Sequence, residues 1–239
     1  MNNPKLDQIK IFADGANLEE IRKLDSSGFI SGFTTNPTLM KAAGINQYEP
    51  FCREMLEIVP SKPVSFEVFS DDLQEMHTQA IKINSWGKNV YVKIPVTNTK
   101  GESTNGLVKQ LVDQGVKVNV TAVFTLEQVE SLIPSLSKEV PSNISIFAGR
   151  IADTGVDPIP HFKHALEQIS GLPNCELIWA SPRELLNIYQ AIDVNCQIIT
   201  VTSNLLSKLK LLGYSLESYS LDTVKMFRDD AVGSGFQLD

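Results

Sequence analysis

The chain has 239 residues, 42% of them apolar, with a formal net charge of −7. That acidity argues against a broad nucleic-acid or anionic-membrane surface, while leaving room for local basic sites that take small anions. No apolar run approaches bilayer-spanning length, and the polar start Met1-Asn2-Asn3-Pro4-Lys5 does not read as a signal peptide. Cys52, Cys175 and Cys196 are odd in number and lack metal-like spacing, so they read as reduced thiols of a cytoplasmic protein.

The first strand is Ile9 to Asp14, ending on a carboxylate. Asn17 is placed to cap a helix with Glu19 and Glu20 in its first turn, which runs to about Ser27 and stops at Gly28. A second strand, Gly32-Phe33-Thr34-Thr35-Asn36-Pro37, closes on polar residues and a proline that ends its ladder. A helical region follows through Val59, and Val64 to Val68 is the third strand, with Glu67 inside it. Asp71 or Asp72 caps the next helix.

The fourth strand, Tyr91-Val92-Lys93-Ile94-Pro95-Val96, sets a lysine among β-branched and aromatic residues, as in a strand covered on both faces. An ammonium buried there must be paired or neutralised. A lysine pushed towards its free amine is a nucleophile suited to Schiff-base formation with a carbonyl. The bland reading is a strand-end lysine whose stem packs while its head reaches water.

Ser103 to Gln114 reads as a helix ended by Gly115, and Val116 to Val123 as the fifth strand, carrying Asn119 and Thr121. A helix from Leu126 to Pro134 precedes the sixth strand, expected over Asn143 to Arg150, and another helix covers Pro158 to Ser170. Glu176 to Ser181 is the seventh strand, followed by a helix from Arg183 to Ile192. Gln197 to Thr202 is the eighth, followed by a short helix from Asn204 to Leu212. Eight strand–helix units with short connections predict an α/β fold, a (β/α)8 TIM barrel spanning 1–239 as one domain, with 215–239 as a C-terminal helical extension. A doubly wound sheet is the alternative, but no glycine-rich nucleotide loop stands where it would need one. Leu216, Tyr219, Val224, Phe227 and Ala231 make a loose apolar stripe on the added helix.

Active sites of such barrels lie at the C-terminal strand ends. Asp14, Thr34, Asn36, Glu67, Lys93, Asn119, Thr121, Ser145, Arg150, Ser181 and Arg183 all fall near those ends. Singly, each reads as a satisfied structural polar group. Together they would supply an amine nucleophile, two carboxylates for proton transfer and two guanidinium groups for an anion. His161 and His164, three apart on a helix, lack further ligands and do not read as a metal site.

Asp14 with Asn17, Thr34-Thr35-Asn36-Pro37, Val92-Lys93-Ile94-Pro95-Val96, Asn119-Val120-Thr121, Ser145 to Arg150 and Ala180-Ser181-Pro182-Arg183 stand in an order and spacing that resembles the transaldolase family, which includes the fructose-6-phosphate aldolases. The resemblance covers about residues 9 to 212 and implies class I aldol chemistry with no metal and no cofactor. It implies Lys93 as the Schiff-base lysine, Asp14 as the acid/base at the carbon–carbon bond, and Glu67 with Thr121 holding a catalytic water. By the same resemblance Asn36 and Asn119 bind hydroxyls of the dihydroxyacetone unit beside Ser145 and Thr34, while Arg150, Arg183 and Ser181 grip the substrate phosphate.

The family's aldolases carry Gln and Tyr where its transaldolases carry Glu and Phe. Glu67 and Phe147 therefore imply a transaldolase, since a phenyl ring cannot protonate the enamine. The implied enzyme moves a dihydroxyacetone unit between sugar phosphates of the pentose phosphate pathway, in a cytoplasmic homo-oligomer of five or ten subunits, with neither nucleic acid nor membrane as partner. A fructose-6-phosphate aldolase that releases free dihydroxyacetone is the nearest alternative, and a non-catalytic sugar-phosphate-binding barrel the next. Ser181-Pro182-Arg183 departs from the family's commoner Ser-Phe-Arg.

Overall fold

The computed structural model describes residues 4–238, so the reading of the polar start falls partly on Met1 to Asn3, outside the described residues. Eight strands form a closed barrel: β1 (Lys10–Asp14), β2 (Gly32–Thr34), β3 (Val64–Glu67), β4 (Val90–Pro95), β5 (Val118–Val123), β6 (Ser142–Ile146), β7 (Cys175–Trp179) and β8 (Ile198–Thr202). Each runs parallel to the next, and β8 closes on β1 over the register Lys10↔Ile198 to Asp14↔Thr202. The fold is a (β/α)8 TIM barrel with an additional C-terminal helix.

The helices between the strands are α1 (Leu18–Ser26), α2 (Pro37–Ala42), α3 (Tyr48–Ile58), α4 (Leu73–Asn84), α5 (Asn105–Asp113), α6 (Leu126–Leu132), α7 (Ala148–Asp153), α8 (Ile159–Gln168) and α9 (Leu186–Asp193). Their buried positions recur at helical spacing: Met76, Ala80 and Ile83 make the inward face of α4, and Leu107, Val108, Leu111 and Val112 that of α5. Covered by these helices, the strands bury both faces, which is why β4 needs Val90, Val92 and Ile94 with no exposed surface at all. Asn17 caps α1 by accepting from the Glu20 amide. At α4 the cap is Asp72, while Asp71 instead accepts the Thr99 amide and hydroxyl.

Several expected boundaries move, among them the ends of β2, at Thr34, and β7, at Trp179, and two further shifts beside the barrel mouth have local causes. The sixth strand ends at Ile146 rather than Arg150. The Phe147 amide makes the last ladder bond, to the Val123 carbonyl at 2.9 Å, and the Phe147 carbonyl then accepts the first helical bond of α7 from Ile151. An apolar run this short fits either state. Likewise the helix expected from Arg183 starts at Leu186, because the Arg183 and Glu184 amides first donate to the Asn187 side chain.

The chain divides into two compact units, one ending at Ser203 and one beginning at Asn204. α10 (Ser203–Ser207) opens at that boundary, and the second unit is dominated by α11 (Leu216–Gly233), capped by Ser215. No α11 residue is buried, and Leu216, Tyr219, Val224 and Phe227 of the expected stripe are exposed. Among the described residues no helix is long and apolar enough to cross a membrane.

Candidate active site at the barrel mouth

The C-terminal strand ends enclose a cavity of about 440 Å³. Lined by Asp14, Thr34, Asn36, Glu67, Lys93, Thr121, Ser145, Phe147, Arg150, Ser181 and Arg183, it gathers eleven of the twelve residues expected there. Asn119 is the exception. It lies fully buried outside the lining, its amide donating to Ser65 Oγ at 3.0 Å and its carbonyl accepting from Ser145 Oγ at 2.7 Å. Asn119 thus reaches the cavity only through the hydroxyl of Ser145. A larger groove, about 570 Å³, opens around Lys88, Asn89 and Lys117, but it contains no carboxylate or buried nucleophile.

Register sets the central group. Glu67, Lys93 and Asn119 stand side by side on β3, β4 and β5, so their side chains leave the sheet on the same face. Lys93 is only 6% exposed. Its Nζ donates to the Thr35 carbonyl at 3.2 Å and lies 3.6 Å from Glu67 Oε2. The Tyr48 hydroxyl donates to the Glu67 carbonyl at 2.6 Å and pins the end of β3. From β2, the Thr34 hydroxyl donates to Asp14 Oδ1 at 2.8 Å.

Burial pushes both carboxylates above their ordinary range. For Asp14, loss of solvation outweighs the attraction of Lys93 and the Thr34 hydrogen bond. For Glu67 the same loss outweighs Lys93, and the charge of Asp14 adds to it. Two acids that hold their protons unusually well therefore flank one amine. That is the disposition general acid–base chemistry needs near neutral pH.

The strand after Val120 is irregular. Ladder register between β5 and β6 shifts between Val120 and Val123, and Ala122 sits at φ 57°, an unusual conformation for a residue with a Cβ. The bulge brings both Thr121 and Ala122 to the cavity wall. Thr121 Oγ1 is buried and has no hydrogen-bond partner among the described residues.

The end of the cavity that carries the two arginines is built around a second strained turn. Ser181 takes φ 59°, and its carbonyl approaches Gly149 so closely that a Cβ there would lie 1.7 Å from the oxygen. Only glycine fits at 149. Arg150, in the first turn of α7, is exposed and stacks over the Phe147 ring at 5.5 Å, and among the described residues it makes no ion pair. Arg183 instead forks onto Asp153, Nε to Oδ1 at 3.2 Å and Nη2 to Oδ2. That fork holds the Asp153 carboxyl below its usual range.

Sequence reasoning passed over Thr200 and Thr202, which also line the cavity. Thr200 Oγ1 is 2.5 Å from Thr34 Oγ1. The signal was a polar residue at alternate positions in an otherwise apolar strand, Ile198-Ile199-Thr200-Val201-Thr202. Asp153 was also passed over, because its partner Arg183 is distant in sequence and the first half of the helix carrying it, Ala148 to Arg150, was expected as strand.

A closed parallel barrel whose cavity gathers a buried lysine, two proton-retaining carboxylates and two guanidinium groups defines the class: a (β/α)8 barrel with acid–base and cationic side chains at its C-terminal strand ends. Residues 11–235 match the family model described as transaldolase/fructose-6-phosphate aldolase, and the chain belongs to that family. It is 33% identical over 202 residues to a probable transaldolase of Dehalococcoides mccartyi, covering 84% of this chain and 90% of that one. To a probable transaldolase of Streptococcus agalactiae it is 35% identical over 204 residues, covering 84% and 89%. Among solved structures it superposes on 2,3-dimethylmalate lyase, a PEP mutase/isocitrate lyase superfamily member, with a TM-score of 0.58 at 11% identity, covering 97% of this chain and 86% of that one. At that identity the likeness is one of fold.

Proposed function

We propose that this enzyme is a transaldolase that carries a dihydroxyacetone unit from a ketose phosphate to an aldose phosphate through a Schiff base on Lys93. The observation that carries the reading is the buried Lys93 amine, 3.6 Å from Glu67 and facing a cavity that also holds Asp14. The amine attacks the ketose carbonyl, and the carbinolamine loses water to give an iminium. Glu67 and the unpartnered hydroxyl of Thr121 hold the water that shuttles those protons. Asp14 then takes the proton of the hydroxyl next to the breaking carbon–carbon bond, and the bonding electrons pass into the iminium to leave an enamine. An aldose phosphate leaves, another enters, and the steps run backwards.

Phe147 supports transfer over release. Its ring lines the cavity and offers no proton with which to quench the enamine. Asn36 supports a hydroxyl contact, since its Oδ1 caps α2 at Leu39 and so turns its amide to other partners. Arg150, free of an ion pair, is the stronger phosphate ligand, and Arg183, held by Asp153, the second. Sedoheptulose 7-phosphate and fructose 6-phosphate are the proposed donors, within the pentose phosphate pathway in the cytoplasm. The exposed apolar residues of α11 support a homo-oligomer; five or ten subunits is what the family resemblance implies, and light scattering would count them.

A coupled assay with fructose 6-phosphate, run with and without erythrose 4-phosphate, tests the reading. Product only with the acceptor supports a transaldolase. Product without it means a fructose-6-phosphate aldolase, and the roles given to Glu67 and Phe147 fail.

A further inference from the structure

When Asp14 is ionised, as it must be to accept a proton, its carboxylate can only accept, so the 2.8 Å bond to Oδ1 uses the single proton of the Thr34 hydroxyl. The 2.5 Å contact between Thr34 Oγ1 and Thr200 Oγ1 must then be made with the Thr200 proton. A chain of two hydroxyls results, donating from β8 through β2 to β1 and ending on the carboxylate. Thr34 is 2% exposed and Thr200 6%, so water competes little for either bond. Linked hydrogen bonds of this kind polarise one another.

The register requires this arrangement. Thr200 pairs with Phe12 and Thr202 with Asp14 on the β8–β1 side, while Thr34 pairs with Asp14 on the β1–β2 side. Asp14 is therefore the strand end between the two threonines, and three adjacent strands contribute one group each. The charged groups that also act on Asp14 are Lys93 from β4 and Glu67 from β3. Neither is in the hydroxyl chain.

We propose that Thr200 is a positioning residue for proton transfer at Asp14: by donating to Thr34 it commits the Thr34 hydroxyl to Asp14 Oδ1, and leaves Oδ2 as the oxygen that exchanges a proton with substrate. The proposal rests on the reading of Asp14 as the acid/base of the reaction. Thr200 touches no reacting atom in this account. It fixes which carboxylate oxygen is available and favours the ionised form that accepts a proton.

Thr200→Val keeps the shape and removes the donor, and Thr200→Ser keeps the donor. The direct readout is the titration of the Asp14 carboxyl carbon by 13C NMR in the free protein, assigned with Asp14→Asn. Thr200→Val should raise its midpoint by roughly half to one pH unit, because the charged form loses support, while Thr200→Ser titrates like the wild type. In kinetics with a ketose phosphate, the acid limb of kcat/KM should move up in step and turnover fall about tenfold. The rate of borohydride-trapped adduct should stay within about twofold, since Schiff-base formation does not pass through Asp14.

A wild-type-like titration in folded Thr200→Val overturns the proposal, and so does an equal shift in Thr200→Ser. The titration needs no substrate. Failure of the wild type to form any adduct would instead overturn the reading of the site, so the two failures are told apart.

Discussion

At the scale of single residues, the site depends on the cost of burying charge beside charge. Lys93 and Glu67 are both largely out of water, and removing one partner of a buried pair leaves the other uncompensated, typically at about 3–5 kcal/mol. Glu67→Gln should therefore lower the melting temperature as well as slow adduct formation, by roughly 10²-fold for loss of an acid–base group. Asp14 behaves differently. Its folded pKa is raised, so the native state binds the proton more tightly than the unfolded chain. The stability this contributes is complete below the unfolded value near 3.8 and is lost as pH rises through the folded value. At neutral pH the ionised group is a burden that function requires. Asp14→Asn should then melt a few degrees higher at pH 7, with the gain fading towards pH 4, while turnover falls by about 10²–10⁴. Calorimetry across that pH range checks the first statement and steady-state rates the second. Arg150→Ala should weaken phosphorylated substrates by about 1.5–3 kcal/mol while sparing their unphosphorylated counterparts. Equal losses on both would remove the phosphate from that guanidinium.

Among the elements, the mouth is shaped by two departures from regular strand geometry, the bulge at Ala122 and the turn at Ser181. Gly149 serves the second. Gly149→Ala would drive a methyl into the Ser181 carbonyl, so Ser181 and Arg183 must shift together. We expect KM for phosphorylated donors to rise roughly tenfold or more and the unfolding midpoint to drop, with adduct formation at Lys93 on unphosphorylated dihydroxyacetone little changed. Retained KM in that variant would separate the turn from phosphate binding. These departures mark where sequence reading stopped. The alternation of strand and helix, the cap at Asn17, a cap at Asp71 or Asp72 and the placing of Glu67 and Lys93 near strand ends were legible, because periodicity and spacing encode them directly. The switch from β6 to α7 was not, since Ile144 to Ala148 is apolar enough for either state and tertiary packing decides. The fork between Asp153 and Arg183 depends on that switch, and the Thr200–Thr34 contact on barrel closure between β8 and β1. Neither is written in local sequence.

For the molecule as a whole, closure of eight parallel strands brings groups from all eight, counting the turns that follow them, to one mouth. The three basic groups of that mouth, Lys93, Arg150 and Arg183, face two acidic ones, Asp14 and Glu67, in a protein that is acidic overall. An anionic substrate is thus attracted locally to a chain that would repel it at a distance, and raising ionic strength should weaken its capture at Arg150 while leaving the buried pair at Lys93 nearly untouched. Covalent bonding of Lys93 to a ketose is read out by reducing the protein with borohydride in the presence of fructose 6-phosphate and mapping the adduct by mass spectrometry. One stable adduct is expected on the peptide bearing Lys93, absent in Lys93→Ala. An adduct that persists without Lys93, or none with any ketose phosphate, would contradict that bonding.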